Sequence, residues 1–259
     1  MLSPEIIYED ENFLAVNKPV GVLIHKVKSS KFKDSEETLV DWLLKNYPEV
    51  KSVGDLPACL PVGMACLPVG MAGGQATENI RPGIVHRLDK DTSGVVLIAK
   101  NQKYFDYLKS LFEKNEIKKT YLALVWGKVE PRSGIIDKPI GITKTVKRTI
   151  GKGKMLKEAI TEYKVIKFFP FFSLVKVFPK TGRTHQIRVH LSSIGHPIVG
   201  DLLYSRKQNP FGLKRQFLHA ESLEFNLMEG GHIKIEVELS EELNKLILRL
   251  TDESIDSSI

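Results

Sequence analysis

Cysteine is nearly absent from this 259-residue chain, with Cys59 and Cys66 as its two examples. Two thiols exclude a disulfide scaffold and a four-cysteine zinc site. No run of apolar residues approaches the roughly 18 that a membrane-spanning helix requires. The first residues, M-L-S-P-E-I-I-Y-E-D, are acidic and lack a basic segment followed by an apolar one, so no secretory signal is expected and the expected compartment is the cytoplasm. No Gly-x-Ser-x-Gly elbow, no phosphate-binding Walker loop and no zinc-type histidine pair occurs. His185 and His190 stand five apart, a spacing more often structural than metal-binding. Acidic residues are missing altogether between Lys138 and Lys157, a stretch that holds Lys144, Lys147, Arg148, Lys152 and Lys154 among glycines.

Hydrophobic residues make up 42% and charged residues 27%, which is enough apolar material for one large core or two small ones and argues against wholesale disorder. The net charge of +7 favours a polyanionic partner. The acid-free stretch sharpens that expectation. Lysine or arginine laid on a phosphate releases counterions, so 138–157 reads as a basic loop that contacts a nucleic-acid backbone.

Short β-branched runs predict strands at 6–8, 13–16, 118–126, 160–169, 172–178, 216–225 and 233–239. Asp34 with Glu37 suggests a capping box for a helix carrying Leu39, Val40, Leu43, Leu44 and Tyr47 inward and stopped by Pro48. Asn101 is expected to cap a helix through about Glu116, with Tyr104, Leu108, Leu111 and Phe112 on its apolar face. Thr184 is expected to cap a helix that buries Ile187, Leu191 and Ile194, and Ser240 starts a last helix with Leu243, Leu246, Ile247 and Leu250 inward. Strands outnumber helices without βαβ alternation. The expected fold class is therefore α+β, a mixed, largely antiparallel sheet flanked by helices and loops. No linker divides the chain, so residues 1–250 are expected to form one domain and 251–259 a frayed tail. The heptad Ala58-Cys59-Leu60-Pro61-Val62-Gly63-Met64 is repeated at once as 65–71. Its Pro and Gly exclude a helix or central strand, and it reads as an insertion in a surface loop.

The richest stretch is 81–101, R-P-G-I-V-H-R-L-D-K-D-T-S-G-V-V-L-I-A-K-N. Apolar flanks at 84–85 and 95–99 read as strands that clamp a charged knot. If the knot is extended, Arg87, Asp89 and Asp91 project to one side. An arginine beside Asp89 would hold it as an anion in a shaped site, fit for nucleophilic or electrostatic catalysis. A magnesium-binding Asp-x-Asp at 89–91 is the alternative, disfavoured by the cations Arg87 and Lys90; a salt-bridged turn is another. Lys18, in N-K-P-V-G at 17–21, reads equally as a lysine aimed at an anion or as a solvated one. Tyr121 on its strand reads as core.

H-R-L-D-K-D-T-S-G at 86–94 resembles the catalytic motif of RluA-type pseudouridine synthases. The resemblance extends to E-D-E-N-F-L-A-V-N-K-P-V-G at 9–21, K-K-T-Y-L-A-L-V-W-G at 118–127, T-G-R-T-H-Q-I-R-V-H-L at 181–191, G-H-P-I-V-G-D-L-L-Y at 195–204 and F-L-H-A-E-S-L-E-F at 217–225. It covers roughly residues 5–240 in the family's order. It implies the pseudouridine synthase fold and isomerisation of uridine to pseudouridine in a structured RNA, ribosomal or transfer, by a monomer without cofactor, metal, membrane or DNA. It implies that Asp89 is the essential aspartate, acting at C1′, at C6 or through a glycal. It implies that Tyr121 packs on the uracil and serves proton transfer at C5, that Arg183 pairs with Asp89, and that Arg87 helps extrude the base. Ile187 is implied to line the pocket, with His86, Lys147 and Arg148 in RNA binding. The S4 domain of some members is not in this sequence, which leaves RNA choice to the catalytic domain's own surface. The heptad duplication departs from the family pattern.

Overall fold

In a computed structural model, the structure describes residues 2–26, 37–55, 81–143, 147–207, 209 and 211–256. Two largely antiparallel sheets carry the chain. The larger has nine strands in the order β1(Glu5–Glu9), β2(Phe13–Lys18), β3(Ser93–Ala99), β11(Leu218–Asn226), β4(Lys118–Trp126), β10(Phe172–Pro179), β9(Ile160–Phe168) and β5(Ser133–Asp137), with β12(His232–Glu236) also paired to β11. The pairing of β3 with β11 is parallel, through His219 opposite Ser93 and Ala220 opposite Gly94. The α+β architecture expected from the strand-rich pattern is the one observed. Helices α1(Leu39–Asn46), α2(Gln102–Glu113), α3(Gln186–Ser193) and α4(Glu241–Asp256) cover the larger sheet. Among the described residues no helix is long and apolar enough to cross a membrane.

Sequence explains most of these elements locally. All seven residues of β3, S-G-V-V-L-I-A, are buried, as an apolar run covered on both faces should be. Asn101 caps α2, its side chain accepting from the Tyr104 amide, and Tyr104, Phe105, Leu108 and Leu111 are buried. The Phe13 and Tyr104 rings stack with centroids 5.5 Å apart, tying α2 to β2.

Several boundaries differ from expectation. The capping box of α1 is Thr38 with Asp41, each side chain bonded to the other's amide, while Asp34 lies outside the described residues. Ile84 makes only an isolated bridge to Ile98. The knot after it is not extended, because the Thr92 amide donates to the Asp89 carbonyl (3.1 Å) and closes a turn. Helix α2 ends at Glu113, followed by Asn115 at φ 59°. Helix α4 runs to Asp256, and residues 257–259 of the expected tail lie outside the described residues. The duplicated heptad with Cys59 and Cys66 lies outside the described residues.

The basic segment is the largest correction. It is not a loop but a second sheet, β7(Arg148–Ile150), β6(Ile140–Ile142) and β8(Lys154–Lys157), with β6 central. Lys152, Lys154 and Lys157 are exposed on it. Gly153, at φ +96°, explains the tight return: a Cβ there would sit 2.5 Å from the Ile142 carbonyl.

Two cores flank the seam where β11 meets β4. One gathers β2, β3, α1 and α2; the other gathers β4, β9, β10, α3 and α4. Tyr121, on β4, packs against both.

Candidate active site

A cavity of about 490 Å³ opens where the Asp89 turn, β4 and the start of α3 converge. That volume suits a small organic ligand. Its wall includes His86, Arg87, Asp89, Tyr121, Arg183 and Ile187, so six of the residues singled out in the sequence meet at one place. Lys147 and Arg148 do not line it. They belong to the basic sheet beside it, where the Lys147 ammonium lies 5.1 Å from the Tyr204 ring centroid and the Arg148 amide donates to the Tyr204 hydroxyl (3.2 Å).

Asp89 is held from below by its backbone. Lys18 is fully buried and points at neither an anion nor water. Its ammonium donates to the carbonyls of Pro19 (2.9 Å), Val22 (3.0 Å) and Lys90 (2.9 Å). The Gly21 amide donates to the same Lys90 carbonyl (3.0 Å). Burial lowers the Lys18 pKa to about 7, against the opposing charges of Asp91 and Asp89. The N-K-P-V-G turn thus fastens the residue next to Asp89.

The arginine that meets Asp89 is Arg188, not Arg183. Arg188 Nη1 lies 3.0 Å from Asp89 Oδ2. The rest of its guanidinium grips Asp201, Nε to Oδ2 at 2.7 Å and Nη2 to Oδ1 at 2.9 Å. Asp201 is buried and also accepts the amides of Leu203 and Tyr204. Burial opposes the ionised form of Asp201, but the Arg188 hydrogen bonds and charge outweigh it and its pKa falls below the usual range. Burial likewise works against the Arg188 cation and is outweighed by Asp201 and Asp89, which raise its pKa further. Arg183 lies in the turn ahead of α3. It is exposed, and its Nε donates to the Glu158 carbonyl (3.0 Å). The physical reason is that α3 is buried nearly all round, from Gln186 to Leu191, so a polar residue on it points into the protein.

Thr184 does not cap that helix. The N-cap is His185, in the left-handed region (φ 56°, ψ 19°) with no side-chain cap bond. Left-handed backbone at a histidine is strained and persists where its surroundings over-determine it. Gln186 supplies that framework: its Oε1 accepts from the Thr181 hydroxyl (2.7 Å) and the Arg183 amide (3.0 Å), and its Nε2 donates to Ile160 and Thr161. The strain turns the His185 ring so that Nδ1 shares a 2.9 Å hydrogen bond with the Tyr204 hydroxyl while Nε2 stands 3.8 Å from Asp89 Oδ1. Burial lowers the His185 pKa, with Asp89 opposing. His190 is structural, bonded to Thr161 and the Lys138 carbonyl.

Tyr121 is half-buried at the cavity. Burial, reinforced by the Asp89 charge, pushes its phenol pKa above the usual range, so the group stays protonated. His86 is neutral, its pKa pushed down to about 3 by burial and by Lys119. Its Nε2 accepts from the Leu97 amide (2.9 Å) and its ring stacks on Phe112 at 4.6 Å, which makes it a wall fixed in one tautomer. Among the described residues no group of three or more histidine, cysteine or acidic side chains is placed to hold a metal ion. Asp201 and Tyr204 were not singled out in the sequence, Arg188 was given no role there, and His185 was read with His190 as a structural pair. The signal that could have found them is the pair of motifs T-H-Q-I-R and G-D-L-L-Y, which place Arg188 and Asp201 13 residues apart as an arginine and an acid.

A family model described as RNA pseudouridylate synthase matches residues 69–193. The chain is 32% identical over 247 residues to the RNA pseudouridine synthase YlyB of Bacillus subtilis (strain 168), covering 95% of this chain and 72% of that one. It is 35% identical over 230 residues to the ribosomal large subunit pseudouridine synthase D of Borreliella burgdorferi, covering 88% of this chain and 63% of that one. The solved structure of Human RNA Pseudouridylate Synthase Domain Containing 1 superposes with a TM-score of 0.67 at 25% identity, over 96% of this chain and 95% of that one.

Proposed function

This chain belongs to the RNA pseudouridine synthase family, whose members are isomerases acting on RNA, and we propose that it converts a uridine of ribosomal or transfer RNA to pseudouridine with Asp89 as the catalytic group. The observation that carries this reading is the Arg188–Asp89 pair facing Tyr121 across one cavity. An oriented carboxylate beside an aromatic face is what the reaction needs. The C1′–N1 bond breaks and its electron pair leaves with the uracil. The ring turns, C5 bonds to C1′, the C5 proton departs and N1 gains one. Atoms balance within the substrate, so no co-reactant is consumed.

Each residue has a physical task in that sequence. The target base must leave its stack, which costs a few kcal/mol and favours loops over duplex. Arg87, exposed at the cavity mouth, is placed to fill the vacated space. Tyr121 and the buried Ile187 pack the uracil within the cavity. Because Tyr121 remains a neutral phenol, it can donate or relay a proton but does not begin as the base. Arg188 keeps Asp89 aimed and is itself held by Asp201. The name of the Borreliella burgdorferi relative supports ribosomal RNA as substrate. The reading includes a monomer at work in the cytoplasm.

RNA tritiated at uridine C5 tests it. The chain should release tritium in step with pseudouridine formation, and Asp89→Asn should reduce release at least about a thousandfold. An Asp89→Asn protein with near-native release would sink the assignment.

A further inference from the structure

Lys119 stands two residues before Tyr121 on β4, so both side chains leave the same face of the strand. It is 8% exposed and lines the cavity. Among the described residues its ammonium has no hydrogen bond and no ion pair. Buried lysines are almost never left so, because an unpaired buried cation is costly. Asp89, on the wall of the same cavity, is already paired with Arg188.

We infer that Lys119 is a substrate-contacting residue, whose ammonium receives a carbonyl oxygen of the uracil and balances the negative charge the ring carries while it is detached from the ribose. This rests on the reading of the chain as a pseudouridine synthase. A base oxygen fits better than a phosphate. Phosphates stay at the mouth, where Arg87 and Arg183 are exposed, whereas Lys119 is buried on the cavity wall, two residues from Tyr121 on the same face of β4. A cation fixed where charge develops lowers the barrier, and its own burial strengthens the effect.

Burial, with Lys180 as a like-charged neighbour, lowers the Lys119 pKa to about 8. Lys18, behind the Asp89 turn, is also lowered, to about 7, so the part of an alkaline loss that belongs to Lys119 is the part that Lys119→Arg moves. His86 and His185 are pushed down, Tyr121 is pushed up, and Lys180 is paired with Glu162 at 3.0 Å. Arg87, Arg183 and Arg188 bring guanidinium groups to the same cavity wall, and Asp89 and Glu113 bring carboxylates.

The test is single-turnover pseudouridine formation at saturating RNA across pH 6.5 to 10, about the range in which a lysine so placed titrates, with RNA binding and thermal unfolding measured alongside. The wild type should lose rate above about pH 8, as the ammonium deprotonates. Lys119→Met should lower the single-turnover rate about a hundredfold with RNA Kd within about twofold. Its Tm should stay at or above the wild-type value, because the ammonium loses no described partner and a partly desolvated charge is removed. Lys119→Arg should regain part of the rate and carry the alkaline loss to higher pH. Three results overturn the inference: a Lys119→Met rate within about threefold of wild type, a weaker Kd with an unchanged rate on bound RNA, or a fall in Tm that accounts for the reduced rate. A wild-type chain that forms no pseudouridine, with Asp89→Asn indistinguishable from it, overturns the functional reading itself and this inference with it.

Discussion

Arg188 is the residue on which the site turns. It touches Asp89 with one nitrogen and Asp201 with the other two. Removing it strands the buried Asp201 carboxylate, and breaking a buried pair from one side costs about 3–5 kcal/mol. Arg188→Ala is therefore expected to lose about that much stability in urea unfolding and to lose activity as well. Arg183→Ala removes one hydrogen bond from an exposed side chain and should change stability by less than about 0.5 kcal/mol. Equal effects from the two would contradict the assignment. The motif T-G-R-T-H-Q-I-R offers both arginines to Asp89. Sequence spacing cannot choose between them, because the choice depends on where α3 begins. His185 starts the helix in a left-handed conformation that helical periodicity does not anticipate.

At the scale of elements, strands with strong apolar character were legible. β2, β3, β4 and β10 lie within a residue or two of their sequence-based ranges. Their side chains are buried on their own account, so local pattern and global packing agree. The segment 138–157 was legible in charge and not in shape. Its strands are three and four residues long with few buried side chains, too short for a period to show. As a sheet, it presents Lys152, Lys154 and Lys157 in fixed positions rather than on a mobile loop. It is tied to the active site through Arg148, Tyr204 and His185. Changing the three lysines to glutamine should weaken RNA binding and lower the slope of log Kd against log salt by roughly 0.7–0.9 for each phosphate that is no longer neutralised. Titration of RNA binding between low and moderate salt checks this. An unchanged slope would place the RNA backbone elsewhere.

Over the whole molecule, the pairing of β11 with β4 joins the two cores at the seam beside the cavity, and β11 is fixed on its other side by the parallel pairing with β3. Gly94 makes that pairing possible. Its φ is +122°, and a Cβ there would come within 2.1 Å of the Ala220 carbonyl. Gly94→Ala is expected to cost about 3 kcal/mol, the upper end of ordinary single substitutions, with thermal unfolding as the measure. A neutral outcome would mean that this pairing yields more readily than its packing implies. In the sequence, apolar runs read locally determined the fold class, while the resemblance of the motifs implied the family and a shared site for Asp89, Tyr121, Arg87 and Ile187, since from its strand alone Tyr121 read as core. Tertiary structure alone decided which arginine meets Asp89, that Lys18 serves the backbone, and that Lys119 stands buried with no partner among the described residues. Those facts depend on burial and on contacts between residues up to about a hundred positions apart, and a buried polar group is defined by what surrounds it rather than by its neighbours in the chain.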